Sequence, residues 1–173
     1  MNLVDRLKNI RLLLLDVDGV MTDGRIIIDA NGIESKFFNV KDGHGIKMVQ
    51  RAGIEVGIIS GRESKVVAER AAELGIGILY QKCSDKLVPY LKILEEMKID
   101  NSRAAFIGDD IIDLPILRRA GFSAAPADAA AEVIPHVHFV TRSRGGWGAV
   151  REVCDLILKE QEIWEELTRN YYK

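Results

Sequence analysis

The sequence predicts an α/β protein built on a doubly wound parallel sheet, with a small β-hairpin inserted after the first strand. Two observations predict the sheet. Short apolar runs alternate with helical patterns along the 173 residues, the order expected when helices cross over between parallel strands. The runs are also near-continuously apolar, LLLL at 12–15 and AAFI at 104–107 among them, as strands covered on both faces require. A third observation bears on function. Asp16, Asp18 and Asp23 stand directly behind the four leucines, and carboxylates taken out of water cost several kcal/mol unless paired, hydrogen-bonded or bound to a metal.

Taken in order, MNLVDRLKNIR mixes acidic and basic residues ahead of an apolar run of only four, which is neither a signal peptide nor a membrane span. Leu12–Leu15 is the first strand. RIIIDANGIESKFFNV, residues 25–40, then reads as two strands around Asp29-Ala30-Asn31-Gly32, since Asn-Gly is a strong hairpin signal. A lone hairpin is marginal in water. Ile26, Ile27, Ile28, Phe37 and Phe38 would stay wet, so the hairpin is expected to pack on another subunit. Beyond it, helical patterns at Ile46–Arg51, Lys65–Leu74, Lys86–Met97, Leu114–Ala120 and Ala129–Val133 alternate with strands at Val56–Ile59, Ile78–Tyr80, Ala104–Ile107, Phe122–Ala124 and His138–Val140. Gly53, Gly75 and Gly121 fall where helices should stop. From Gly148 to about Asn170 one long amphipathic helix is expected. With no repeat, linker or low-complexity tract, residues 1–173 read as a single domain.

Composition narrows the function. An apolar share of 47% and a charged share of 29% are those of an ordinary globule, and a net charge of −2 supplies no global field for nucleic acid or a membrane surface. Cys83 and Cys154 lack metal-ligand spacing and read as reduced thiols. His136 and His138 alternate on a predicted strand with no third nitrogen or sulfur ligand behind them, so they read as a strand pair rather than a metal site.

In a doubly wound sheet the loops at the carboxyl ends of the strands converge on one crevice. Here those loops carry Asp16 and Asp18, then Ser60-Gly61-Arg62, then Lys86, then Gly108-Asp109-Asp110 with Asp113 behind. Mg²⁺ takes oxygen ligands, typically one or two carboxylates plus water and substrate phosphate. Asp16 and Asp109 supply such carboxylates from separate strands, Lys86 adds an ammonium, and Ser60 with neighbouring N–H groups serves the remaining phosphate oxygens. Phosphoryl transfer is chiefly positioning and charge neutralisation, so these parts suffice for it.

DVDGVMTDG, IISGR, the Lys of SDKL and IGDDIIDLP, in that order from Asp16 to Asp113, resemble the four motifs of the haloacid dehalogenase superfamily of aspartate-nucleophile phosphatases. DGVMTDGRI, FNVKDGHGIK, ISGRESKVVAERAAELGI and GGWGAVREVCDLIL extend the likeness over nearly the whole chain, toward the branch that acts on eight-carbon sugar acids. That resemblance implies a haloacid dehalogenase-like (Rossmannoid) fold with the hairpin, about 24–40, in place of a large cap domain, and a tail and helix over about 142–173. It implies a cytoplasmic, Mg²⁺-dependent homotetramer in lipopolysaccharide inner-core synthesis, with tail or hairpin contacts to neighbouring active sites.

The resemblance also assigns roles. Asp16 is the nucleophile, Asp18 the general acid and base, and Lys86 the third catalytic group. Asp16, Asp109 and the Asp18 backbone carbonyl face the metal; Ser60, Gly61 and Lys86 bind phosphate; Asp110 and Asp113 act through water or orient Lys86. Asp18, Asn39, Lys41, Asp42, Gly43, Lys47, Arg62 and Arg70 are expected to face the substrate, the two arginines suiting a carboxylate. Trp147 stands where the family pattern has a basic residue. His44 stands where an aromatic is commoner, and its role is open. Arg62 after Ser-Gly favours the eight-carbon substrate; a phosphatase for a nine-carbon nonulosonate phosphate, or a broader sugar-acid phosphatase, is the alternative within enzymes. A phospho-accepting signalling domain is the alternative outside them; its adjacent acids normally follow the first strand, whereas here a spaced pair leads and Gly-Asp-Asp follows.

Overall fold

The structure is a computed structural model that describes residues 2–173. α1 (Leu3–Leu7), capped by the Asn2 side chain, leads into β1 (Leu12–Leu15). The hairpin strands β2 (Ile27–Ile28) and β3 (Glu34–Ser35) follow, then α2 (Val40–Arg51), β4 (Glu55–Ile59), α3 (Lys65–Leu74), β5 (Ile78–Tyr80) and α4 (Leu87–Met97). β6 (Ala104–Ile107), α5 (Leu114–Leu117), β7 (Phe122–Ala125), β8 (Phe139–Val140), α6 (Ala149–Glu160) and α7 (Trp164–Thr168) complete the order.

The six-stranded sheet runs β5-β4-β1-β6-β7-β8, parallel throughout. β1 lies between β4 and β6, so the chain crosses to one side of it and then to the other. That reversal opens a crevice at the carboxyl end of β1. Successive side chains of a strand point to opposite faces. Leu13 and Leu15 therefore join Val56, Ile58, Ala105 and Ile107 in the core under α2, α3 and α6. Leu12 and Leu14 join Ile59, Phe106, Tyr90 and Ile93 on the other face. This is why all four leucines are fully buried.

Five expectations are corrected, the last of them in the C-terminal helix. α2 begins at Val40 rather than Ile46, because the Asn39 side chain accepts the Lys41 N–H and caps it six residues earlier than the apolar periodicity indicates. Helix Leu114–Ala120 stops at Leu117, so Gly121 does not end it. A Cβ at Gly121 would lie 2.5 Å from the Ser102 carbonyl oxygen, and close backbone approach explains the glycine. Ala129–Val133 is not a helix: the Ala130 N–H donates to the Asp109 carbonyl at 2.8 Å, and a single 3₁₀ turn over Ile134–His136 follows. His136 lies in that turn, so it does not share a strand with His138, whose Nδ1 accepts the Ser123 N–H.

The C-terminal helix is broken in two. The Ile163 N–H returns to the Leu158 carbonyl, with Glu162 at φ 60°, a left-handed helix stop made without glycine. Gln161, at the break, donates to the Leu7 and Ile10 carbonyls and ties α6 to the N-terminal segment.

The hairpin forms where Asn-Gly placed it, though each strand is two residues long. Asp29 accepts the N–H groups of Asn31 and Ile33, and Gly32 takes φ +77°. Ile26, Ile28, Ile33 and Phe37 are exposed.

Candidate active site

The site begins at the carboxyl end of β1. The Asp16 N–H continues the ladder to the Ile107 carbonyl at 3.0 Å. Then the chain turns sharply, with the N–H groups of Val20, Met21 and Thr22 all donating to the Val17 carbonyl. Gly19 sits in the turn at φ +87°, where a Cβ would lie 2.0 Å from Asp109 Oδ2. No other residue type allows both that dihedral and that approach.

Asp16, Asp109 and Asp113 bring carboxylate oxygens within 4.8 Å of one another. The Lys86 ammonium, from the start of α4, bridges Asp16 at 2.8 Å and Asp113 at 2.7 Å. Asp113 is fully buried, and its second oxygen accepts the Asp109 N–H at 3.0 Å. Gly108 leaves it room, since a Cβ there would stand 2.6 Å from that of Asp113. Asp113 thus orients Lys86 directly. Asp110 is exposed and caps the turn over Ile111–Asp113.

Electrostatics show what the cluster lacks. Burial, and then the charge of Asp113, push the Asp16 carboxyl above its ordinary range against the pull of Lys86. Burial, and then Asp16 and Asp113, raise Asp109 as well. Burial by itself would lower Lys86, but the two carboxylates more than offset it and hold its ammonium above the usual value. Two buried carboxylates, Asp16 and Asp113, and the half-buried Asp109 against one ammonium leave negative charge unmatched among the described residues, and their oxygen donors suit a hard divalent cation.

Ser60 and Gly61 close the second side. The Ser60 N–H continues β4 to the Tyr80 carbonyl, and Ser60 Oγ accepts the Arg62 N–H at 3.3 Å. Arg62 Nη2 meets Glu34 at 3.1 Å, from the hairpin. Among the described residues its Nη1 is buried without a partner.

The expected substrate contacts separate. Asn39 caps α2 and donates to the Gly146 carbonyl at 3.3 Å, and Lys41 is exposed beside it. Arg70 lies over the Phe38 ring and pairs with Glu73 at 2.7 Å. Asp42, Gly43 and Lys47 are each engaged in helix packing within the chain. Asp42 is buried and accepts the Arg151 N–H at 2.7 Å, capping α6; burial, resisted by the N–H groups of Arg151 and Gly148, pushes it up to about 6. A Cβ at Gly43 would lie 2.5 Å from Arg70 Nη2. Lys47 donates to the Leu74 carbonyl at the end of α3. His44 packs edge-on against Tyr171. Asp23 pairs with Arg25 outside the cluster.

The glycine-rich tail docks on the turn of its own chain. A Cβ at Gly145 would lie 1.8 Å from the Gly19 carbonyl oxygen, and the Gly146 N–H donates to the Val20 carbonyl at 2.9 Å. Trp147 is left 66% exposed beside Phe37 and Phe38.

Sequence reasoning passed over Glu34, Lys36 and Ser64. The Lys36 ammonium pairs with Asp18 and lies 3.5 Å from Glu34; Glu34 accepts from the Ser64 hydroxyl. Glu34 opens β3 and Lys36 directly follows that strand, a period-2 spacing in extended chain that was overshadowed by the apolar residues around them.

Residues 41–121 match the family model of haloacid dehalogenase-like hydrolases. The chain is 49% identical over 167 residues to the 3-deoxy-D-manno-octulosonate 8-phosphate phosphatase KdsC of Yersinia pestis, covering 96% of this chain and 89% of that one. A probable YrbI family phosphatase from Pseudomonas syringae superposes with TM-score 0.97 at 45% identity, over 98% and 97% of the two chains. The Moraxella catarrhalis 3-deoxy-D-manno-octulosonate 8-phosphate phosphatase, solved with a magnesium ion, a phosphate ion and a KDO molecule, superposes with TM-score 0.95 at 39% identity, over 97% of each chain.

Proposed function

The chain belongs to the 3-deoxy-D-manno-octulosonate 8-phosphate phosphatases of the haloacid dehalogenase-like hydrolases, and we propose that it hydrolyses this eight-carbon sugar phosphate to the free sugar acid and phosphate. The observation that carries the reading is the acidic triad of Asp16, Asp109 and Asp113 with Lys86 bridging two of its members. The same reading makes it a cytoplasmic enzyme of lipopolysaccharide inner-core synthesis, with residues 1–173 as one hydrolase domain.

Asp16 attacks phosphorus in line and forms an aspartyl phosphate, dividing one hard displacement into two easier ones. Asp18 gives its proton to the departing sugar oxygen, then takes one from the water that releases phosphate. Lys86, Ser60 and the N–H groups around Gly61 hold the phosphoryl oxygens. Asp113 fixes Lys86 and, through the Asp109 N–H, the loop carrying Asp109. Asp16, Asp109 and the Asp18 carbonyl would hold Mg²⁺, which would supply the charge neutralisation that phosphoryl transfer needs. Arg62 and Arg70 are the cations for the sugar carboxylate, with Asn39 and Lys41 as further substrate contacts.

Phosphate release from the eight-carbon and nine-carbon sugar phosphates, with Mg²⁺ and with EDTA, tests the assignment. The expected result is a preference of at least about tenfold in kcat/KM for the eight-carbon ester, worth about 1.4 kcal/mol of transition-state binding, and loss of turnover in EDTA. Equal use of both esters, or activity indifferent to chelation, rejects it.

The exposed apolar residues of the hairpin support a homotetramer with tail or hairpin contacts to neighbouring active sites. Light scattering is expected to return four times the chain mass; a monodisperse monomer rejects the assembly.

A further inference from the structure

Lys36 belongs to none of the four motifs, yet its side chain is only 1% exposed on a hairpin that otherwise presents apolar residues to solvent. A lysine gives up water only against anions. This one has the Asp18 carboxylate as its ion-pair partner and Glu34 at 3.5 Å. Glu34 is itself moored, to the Ser64 hydroxyl and to Arg62 Nη2 at 3.1 Å. Ser64 is held in turn: its hydroxyl accepts the Val67 N–H as the cap of α3, and its own N–H donates to Gln81 at 2.8 Å. Lys36 is therefore the end of a fixed chain of contacts running from α3 through the hairpin to Asp18. Among the described residues, that chain engages only Oδ1 of Asp18.

We infer that Lys36 is a positioning residue for proton transfer: it grips Asp18 Oδ1 so that Oδ2 faces the oxygen leaving phosphorus. The inference rests on the acid–base role of Asp18 given above. In the step it serves, the Asp16 carboxylate forms its bond to phosphorus as the ester P–O bond breaks. The electron pair of that bond stays on the departing oxygen, which takes the proton that the acid form of Asp18 carries on Oδ2 and leaves behind the carboxylate that pairs with Lys36. An acid displaced by about 1 Å can lose on the order of a hundredfold in rate, and an aspartate pinned at one oxygen has little room to wander. The hairpin thereby contributes to chemistry in its own subunit.

The test compares kcat/KM of Lys36→Met and wild type on three monoesters. These are the eight-carbon sugar phosphate, n-butyl phosphate, which has neither carboxylate nor free hydroxyl, and p-nitrophenyl phosphate, whose leaving group departs without a proton. Lys36→Met is expected to lose at least about tenfold on both alkyl esters and to stay within about threefold on the aryl ester, since general acids contribute only where the leaving oxygen needs them. A loss confined to the sugar phosphate overturns the inference, because Lys36 would then hold substrate. An equal loss on all three overturns it in favour of a structural role, and no loss on either alkyl ester overturns it outright. Wild-type failure on the sugar phosphate, with the butyl and aryl esters behaving as expected, rejects the substrate assignment and leaves the role of Lys36 standing.

Discussion

Asp16→Asn is expected to lower turnover by at least about 10⁴-fold, the scale on which removal of a nucleophile abolishes a covalent route. The amide has nearly the shape of the carboxylate and relieves a burial that pushes the Asp16 carboxyl above its ordinary range, so the variant is expected to fold. It cannot attack phosphorus, and it loses half of the ion-pair bridge at Lys86, where the Asp16 oxygen lies 2.8 Å away. Acid-quenched wild type incubated with labelled substrate is expected to carry label that hydroxylamine releases, as an acyl phosphate must. The variant is expected to carry none. Near-wild-type turnover by Asp16→Asn, or label on both proteins, would remove the covalent step from the mechanism.

Lys86→Met is expected to damage stability and activity together. The ammonium is 3% exposed and sits between two carboxylates. Breaking a buried pair from one side costs about 3–5 kcal/mol, and in a chain of this size each kcal/mol moves Tm by about 2–4 °C, so a fall of roughly 10 °C is expected without Mg²⁺. The pH dependence has a definite sign. In wild type the carboxyls of Asp16 and Asp109 are held above their ordinary range, so from about pH 4 upward the folded state keeps protons that the unfolded chain has released. Stability contributed by these groups is present in acid and declines as pH rises. Without Lys86 the Asp16 carboxyl rises further, so the variant's deficit is expected to be larger at pH 8 than at pH 5. Turnover is expected to fall about 10²- to 10³-fold through loss of a preorganised charge on the phosphoryl group. A Tm unchanged at pH 8, or turnover within about threefold of wild type, would show that Lys86 is a solvated side chain with no partner in catalysis.

Both predictions rest on residues that announce themselves in the sequence, and the reason is local. Asp16 and Asp18 follow β1 by one and three residues, Ser60 follows β4 directly, and Asp109 follows β6 by two. A parallel sheet needs no further information to bring such strand tips together. The same locality made the six sheet strands legible, and the turn chemistry of Asn-Gly made the hairpin legible.

Elsewhere the tertiary structure decided. Residues 129–133 had helical periodicity, but the Ala130 N–H is taken by the Asp109 loop. Asp42 of FNVKDG and Lys47 of GIK are expected to face substrate from the family resemblance, and only the folded chain shows that Asp42 also caps α6 and Lys47 also binds the end of α3. No pattern within α2 foretells which helix termini will pack against it.

By itself, then, the sequence determined the strand order of charge and chemistry: acids, hydroxyl, amine and acids at successive strand ends. Only the folded molecule determined which charges meet. Lys36 reaches Asp18 across 18 residues and Glu34 reaches Ser64 across 30, because the hairpin folds back over the crevice. Long-range ion pairs depend on where backbones come to rest in three dimensions, and spacing along the chain carries no record of that.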